Sequence, residues 1–302
     1  MKEFDFEGKL YKKASNIAAV SSLHSLREAM LQGTILEGLC YKCDSEQNLY
    51  VKLGECEGII PKSEGALGID EGKIRDIALI SKVGKRVQFV VESIDEKSKT
   101  AFLSRKKVQR RCRDEYMESL VPGDVVDAKV THLEPFGAFV DIGAGVNSLI
   151  PIDMLSVSRI PHPSQRVHEG EVLRCVVKNK DNGKITLSLR EMLGTWEENA
   201  AGFRAGQTVR GIVRSAESYG VFIELAPNLA GLAEYSEDVE PGQEVAVFIK
   251  AIIPEKMKIK LSIIDFFEQS GTEKLTYYFE GDHMDRWRYS PDNCLKTVET
   301  VF

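Results

Sequence analysis

Gly123-Asp124-Val125-Val126-Asp127-Ala128-Lys129-Val130, then Phe136-Gly137-Ala138-Phe139-Val140-Asp141-Ile142 and Leu149-Ile150-Pro151, is the stretch whose reading decides the fold. Val126, Ala128 and Val130 alternate with Asp127 and Lys129, and Ala138, Val140 and Ile142 alternate with Phe139 and Asp141. A period of two predicts strands with one buried face. Leu173, Cys175 and Val177 carry the pattern on beside Arg174 and Lys178, and Asp181-Asn182-Gly183-Lys184 is a hairpin signal, because Asn-Gly supplies the positive φ of a tight turn. Five short strands in about 70 residues predict a small closed barrel, in which no sheet edge is left exposed.

The same stretch recurs. Gly206, Val209, Gly211 and Val213, then Tyr219-Gly220-Val221-Phe222-Ile223-Glu224-Leu225 and Leu232-Ala233-Glu234, repeat it, with 13 residues from the first Gly to the aromatic in both copies. The copies close on Leu187-Ser188-Leu189 and Leu261-Ser262-Ile263. A degraded copy runs from Gly33, Leu36, Gly38 and Cys40 through Tyr50-Val51-Lys52-Leu53 and Gly58-Ile59-Ile60-Pro61 to Phe102-Leu103-Ser104, with Gln47-Asn48 in place of the aromatic-Gly pair. The expected architecture is mainly β: three tandem five-stranded OB-fold barrels joined by helical linkers. The expected boundaries are an N-terminal helical segment (1–32), a degenerate barrel (33–104), a basic helical linker (105–120), a second barrel (121–190), a helical linker (191–204), a third barrel (205–264) and an aromatic-rich C-terminal tail (265–302). Tyr277, Tyr278, Phe279, Trp287 and Tyr289 suggest that the tail docks.

The chain has 302 residues, 43% hydrophobic and 28% charged, which fits two or three globular domains. No apolar run approaches the roughly 18 residues of a membrane span, and Met1-Lys2-Glu3-Phe4-Asp5-Phe6-Glu7 lacks the apolar core of an export signal. The expectation is a cytoplasmic protein without a membrane partner. A net charge of −6 argues against a polycation that coats nucleic acid by charge alone. Base is concentrated in 105–120, which carries +3, and acid in the tail, which carries −4. Cys40, Cys43, Cys56, Cys112, Cys175 and Cys294 are too sparse for a disulfide scaffold. Cys40-Tyr41-Lys42-Cys43 lacks a second ligand pair at metal spacing, so no metal or cofactor is expected. Nucleophile elbow, P-loop and dinucleotide fingerprint are all missing, so the chain reads as non-enzymatic, with no small-molecule substrate.

The pattern Gly-x-x-Val-x-Gly-x-Val, aromatic-Gly-x-Phe and a closing Leu-Ser resembles the S1 RNA-binding repeat, named for bacterial ribosomal protein S1. The resemblance covers about residues 33–104, 121–190 and 205–264. It implies an oligonucleotide-binding barrel whose outer face holds RNA with two aromatics, a His, an Asp and an Arg. Carried over, copy two supplies Phe136, Phe139, Asp181 and, at the Arg position, Lys184; copy three supplies Tyr219, Phe222 and Lys258; copy one keeps Tyr50 and Asp95. The His position holds Pro61, Pro151 and Glu234. The resemblance also implies mRNA and the 30S ribosomal subunit as partners.

Elementary chemistry supports a single-stranded target. Stacking a base on an aromatic ring contributes about 1–3 kcal/mol whatever the base, and only unpaired bases are free to stack. Phe139 and Phe222 fall out of phase with the buried residues of their strands, so they should point outward. The Gly after Phe136 and after Tyr219 would let a nucleotide backbone come close. Lys129, Arg174, Lys178 and Lys184 in copy two, and Arg210, Arg214, Lys250 and Lys258 in copy three, are the candidate phosphate ligands. Weaker candidates are Tyr50 and the linker cations Arg105, Lys106, Lys107, Arg110 and Arg111. These cations either grip phosphates or form a solvated helix face opposite Val108, Cys112 and Tyr116. The competing reading of the aromatics is that they cap their own barrels. Copy one is expected to brace the array or dock a protein. The function expected is non-catalytic binding of single-stranded RNA, with a protein–protein adaptor, or an accessory subunit of an RNA-processing complex, as the alternative.

Overall fold

The computed structural model describes residues 4–72, 74–237, 239–267 and 275–302. Barrel one consists of β1 (Leu36–Cys43), β2 (Leu49–Lys52), β3 (Glu57–Ile60), β4 (Arg86–Asp95) and β5 (Thr100–Ser104). Barrel two consists of β6 (Val125–Glu134), β7 (Gly137–Asp141), β8 (Asn147–Pro151), β9 (Val172–Asp181) and β10 (Lys184–Ser188). Barrel three consists of β11 (Thr208–Glu217), β12 (Gly220–Ala226), β13 (Leu229–Ala233), β14 (Glu244–Ile253) and β15 (Lys258–Phe266). All three close with one topology: the third strand pairs parallel with the fifth, and the first antiparallel with the fourth. The alternating residues are buried as their period requires: Val126, Ala128, Val130, Ala138 and Val140 in barrel two, and Val213, Val221 and Ile223 in barrel three. The Asn182-Gly183 turn holds φ of 49° and 73°.

The chain divides into two compact units. One runs to Leu120 and takes in Asp141–Asn147; the other holds Val121–Val140 and Ser148–Phe302. In the first, α1 (Ala14–Ala19) and α2 (Leu23–Gln32) precede barrel one, and α3 (Ile77–Ile80) lies between β3 and β4. Ser22 caps α2 by accepting from the Ser25 N–H, and Gly33 ends it at φ 62°. The linker Arg105–Leu120, expected as one helix, is α4 (Arg105–Arg111) followed by a wider π-turn over Cys112–Met117. The wider turn keeps Cys112, Tyr116 and Met117 buried on the same side as Val108. In the second unit Gly194, at φ 83°, separates a short 3₁₀ turn (Arg190–Leu193) from α5 (Trp196–Ala200), which Thr195 and Glu198 cap reciprocally.

Buried ion clusters sit in both units, and each claims an arginine that the sequence suggested for RNA. Arg105 is 3% exposed. Its Nε lies 2.6 Å from Glu7 Oε1, and it also donates to the Gly65 and Gly145 carbonyls. Burial raises the Glu7 carboxyl, but the Arg105 and Lys82 charges outweigh it and hold it at about 2. The Glu7 N–H donates to Asp141, which burial and the Glu7 charge push up to about 6. In the second unit Arg166 and Arg214 each grip Glu224 through two N–H groups at 2.7–2.9 Å. Arg214 is therefore a core residue, not a phosphate ligand, with its side chain 6% exposed. Burial raises the Glu224 carboxyl, but the bonds from Arg166 and Arg214 prevail and hold it below the usual range.

The glycine after each aromatic has a different cause from the one the sequence suggested. A Cβ on Gly137 would lie 2.4 Å from the Ile150 carbonyl oxygen, and one on Gly220, at φ 152°, would lie 2.5 Å from that of Ala233. The barrel's own third strand fills the space left for a nucleotide.

Gly220→Ala should destabilise the second unit by about 1–3 kcal/mol, because its Cβ meets backbone rather than a side chain, and thermal denaturation should show a lowered midpoint. Arg105→Ala and Arg214→Ala should each cost about 3–5 kcal/mol at neutral pH, since each leaves a buried carboxylate short of a partner. The pH dependence has a definite sign. Glu224's folded value lies below its unfolded one, so its contribution is complete above roughly pH 4.3 and is lost as pH falls through the folded value. In urea titrations at pH 7 and pH 3, the gap between the parent and Arg214→Ala should narrow at the lower pH.

Candidate nucleic-acid interface

The aromatic pair is built twice. Phe136 precedes β7 and Phe139 lies within it; their ring centroids are 5.9 Å apart at 88°. Tyr219 and Phe222 hold the same places on β12, at 6.1 Å and 87°. This edge-to-face arrangement is the one the ring quadrupoles favour. In each pair the inner ring is half-buried and the outer ring open, Phe136 at 55% and Tyr219 at 68%. Neither pair is tucked into its barrel, because the in-phase neighbours Ala138, Val140, Val221 and Ile223 fill the interior.

Register places the neighbours of these rings. In barrel three a continuous row runs Ser215, Phe222, Leu232, Lys260 across β11, β12, β13 and β15. Lys258 stands two residues along β15, and both lysines are exposed. Lys260 was missed in the sequence, although its two-residue spacing from Lys258 puts it on the same outward face. In barrel two Leu149 pairs with Thr186, which pairs with Asn179, and the Thr131 hydroxyl bonds the Phe139 carbonyl at 3.1 Å.

The other predicted cations divide by what already holds them. Arg174 donates to the Glu280 and Gly281 carbonyls at 2.7 and 2.8 Å, and Lys178 lies over the Phe302 ring at 5.2 Å. Both are therefore engaged by the C-terminal tail. That tail docks within the second unit: β16 (Arg286–Arg288) pairs with β17 (Glu299–Val301), Trp287 and Tyr289 are buried, and the Tyr289 hydroxyl bonds the Asn228 carbonyl. Arg210 pairs with Glu244 at 3.2 Å and stacks over Phe267; Lys250 pairs with Glu234 at 2.8 Å. Asp181 and Lys184 face each other, exposed, across the β9–β10 hairpin, and Lys129 is half-buried on β6.

The basic linker is largely neutralised where it stands. Besides Arg105, Lys106 meets Asp70 and the Ser63 carbonyl, Lys107 meets Glu92, and Arg111 meets Glu115 and the Gly33 carbonyl. Arg110 is exposed and makes no ion pair among the described residues. In barrel one Tyr50 is half-buried, its hydroxyl 3.1 Å from Asp44 Oδ2. Cys40 lies in the barrel core, where burial pushes its thiol up to about 11.

Comparison with known proteins places this geometry. The family described as the S1 RNA binding domain matches residues 120–190. The small ribosomal subunit protein bS1 of Staphylococcus aureus strain COL is 33% identical over 233 residues, 71% of this chain and 58% of that protein. Its counterpart in Staphylococcus epidermidis is 34% identical over 233 residues, 71% of this chain and 57% of that protein. Among solved structures, a multidomain protein with nucleic acid binding domains from Streptococcus pneumoniae aligns over 77% of this chain and 73% of its own, at 17% identity and a TM-score of 0.25. The chain thus spans somewhat under three-fifths of the length of the curated relatives it matches. With residues 120–190 matching the S1 RNA binding domain, three closed barrels of one topology and these curated relatives, the chain is similar to the ribosomal protein S1-like family.

Proposed function

We propose that the chain is a non-catalytic, cytoplasmic protein that binds single-stranded RNA, mRNA at the small ribosomal subunit, through barrels two and three. The observation that carries this reading is the duplicated aromatic pair, with one geometry on two barrels and its outer ring open to solvent. The relatives' names, as small ribosomal subunit proteins, support the site of action. Phe136, Phe139, Tyr219 and Phe222 are the platforms. Lys258 and Lys260 beside one pair, and Lys184 with Lys129 on the other barrel, are the phosphate ligands. Each barrel contributes a modest affinity, and tethering multiplies them through effective concentration on one strand.

The adaptor reading draws on a specific observation too: Arg174, Lys178, Arg210, Arg214 and Lys250 already have protein partners, in a chain of net charge −6.

Anisotropy of a labelled oligouridylate, read over a series of salt concentrations, separates the two. The double variant Phe139→Ala with Phe222→Ala should lower affinity by about tenfold or more with an unchanged circular dichroism spectrum. Lys258→Gln with Lys260→Gln should flatten the log–log salt dependence by about 0.7 per lysine. Affinity indifferent to both variants, or no binding at low salt, would favour the adaptor.

A further inference from the structure

We propose that the connection between β3 and β4 of barrel one is a protein-docking surface whose occupant is an acidic amphipathic helix of a partner. The partner's apolar residues pack on Ile77, Ile80 and Val83, and its carboxylates meet Arg75 and Lys85. The inference concerns barrel one alone and does not rest on the RNA reading of the other two barrels.

Local geometry lines the three apolar residues up. α3 continues past Ile80 as tight turns: the Lys82 N–H donates to the Leu79 carbonyl, the Val83 N–H to that of Ile80, and the Lys85 N–H to that of Lys82. In such turns residues three apart eclipse, which brings Ile77, Ile80 and Val83 toward one row about 10–12 Å long. They are 64%, 45% and 41% exposed. Ala78, Ser81 and Gly84, alongside, are exposed and small, so a partner can come close to the backbone.

The remaining side of the segment holds it in place. Leu79 is buried, and so near Gly65 that a Cβ there would lie 2.7 Å from Leu79 Cδ2. The Lys82 ammonium lies 2.9 Å from Glu7 Oε2. With Leu79 and Lys82 anchored, the apolar row is fixed in its exposed position and cannot turn inward. Barrel two treats the same connection differently, since Leu155, Ile160 and Val167 between β8 and β9 are buried. Three large apolar side chains held in solvent on one short segment form the kind of patch that marks an interaction site.

Charge selects the partner. Arg75 stands at one end of the row and Lys85 at the other, both exposed and without an ion pair among the described residues. Arg86 follows, its guanidinium 4.7 Å over the Tyr11 ring. Asp76, the acid beside the row, is taken up by Lys62 at 3.1 Å and the Gln47 amide at 2.8 Å. An apolar strip closed at both ends by cations complements a helix with an apolar stripe between carboxylates and disfavours a basic one. It disfavours a second copy of the same row too, because two-fold pairing would set cation against cation. Ile and Val offer no flat ring on which a base could stack.

The test uses the full chain and two labelled synthetic helical peptides that share a leucine stripe at i, i+4 and i+7 and differ only in carrying Glu or Lys beside it. Anisotropy at low salt should show the acidic peptide bound about tenfold or more tightly than the basic one. Ile77→Ser with Ile80→Ser should weaken the acidic peptide by about tenfold or more. Its circular dichroism spectrum should stay unchanged, because both side chains already stand in solvent, and its affinity for oligouridylate should stay at the parental value. Arg75→Glu with Lys85→Glu should reverse the preference between the peptides. Equal binding of the two peptides, binding of neither, or acidic-peptide affinity indifferent to the isoleucine variant overturns the proposal. So does a parent chain that sediments as a dimer and becomes monomeric in that variant, since a second copy would then cover the row. Loss of oligouridylate affinity in the same variant overturns it as well, by making the row part of an RNA site.

Discussion

Parallel pairing of the third strand with the fifth is the constraint on which the rest of the structure depends. It joins Gly58 to Ala101, Leu149 to Thr186 and Leu232 to Lys260, and so turns three sheets into closed barrels. Closure satisfies the backbone groups that an open edge would leave to solvent or to another chain. It also brings the second, third and fifth strands side by side, although the fifth lies far from the other two in sequence. The row Phe222–Leu232–Lys260 exists only because of that pairing.

Charge in this chain is spent mostly on its own architecture. Arg105 on Glu7, and Arg166 and Arg214 on Glu224, each satisfy a buried carboxylate, while Arg174 meets exposed carbonyls of the tail. A buried carboxylate needs paired, bonded cations to stay ionised, and the planar guanidinium fork meets that need better than an ammonium. Lys82 joins Arg105 at Glu7, but Lys184, Lys258 and Lys260, flexible point charges on the outer faces of barrels two and three, reach solvent. On the proposed reading, affinity for RNA would come from flat rings and a few mobile cations, in keeping with a chain of net negative charge.

Much of the fold was legible because barrel strands obey a local rule. Period-two alternation at Val126–Val130 and Ala138–Ile142 names the buried face without knowledge of any partner strand. The repeat spacing counts the barrels, and Asn182-Gly183 marks a hairpin. The outward placement of Phe139 and Phe222 follows from the same alternation. The Gly137 and Gly220 positions misled, since sequence shows that a side chain is missing but not whether a ligand or the chain's own carbonyl fills the space.

The sequence by itself determined the barrel strands, the three-barrel count and the aromatic pairs, because each is a matter of short-range period, turn chemistry or spacing. Tertiary structure alone decided which cations remain available. Glu7 lies 98 residues from Arg105, and Asp282 lies 108 from Arg174. Such pairings are set by how the chain returns on itself, and nothing near an arginine in the sequence records them. The alignment of Phe222 with Lys260 is decided in the same way, by a strand pairing that closes only when the barrel does.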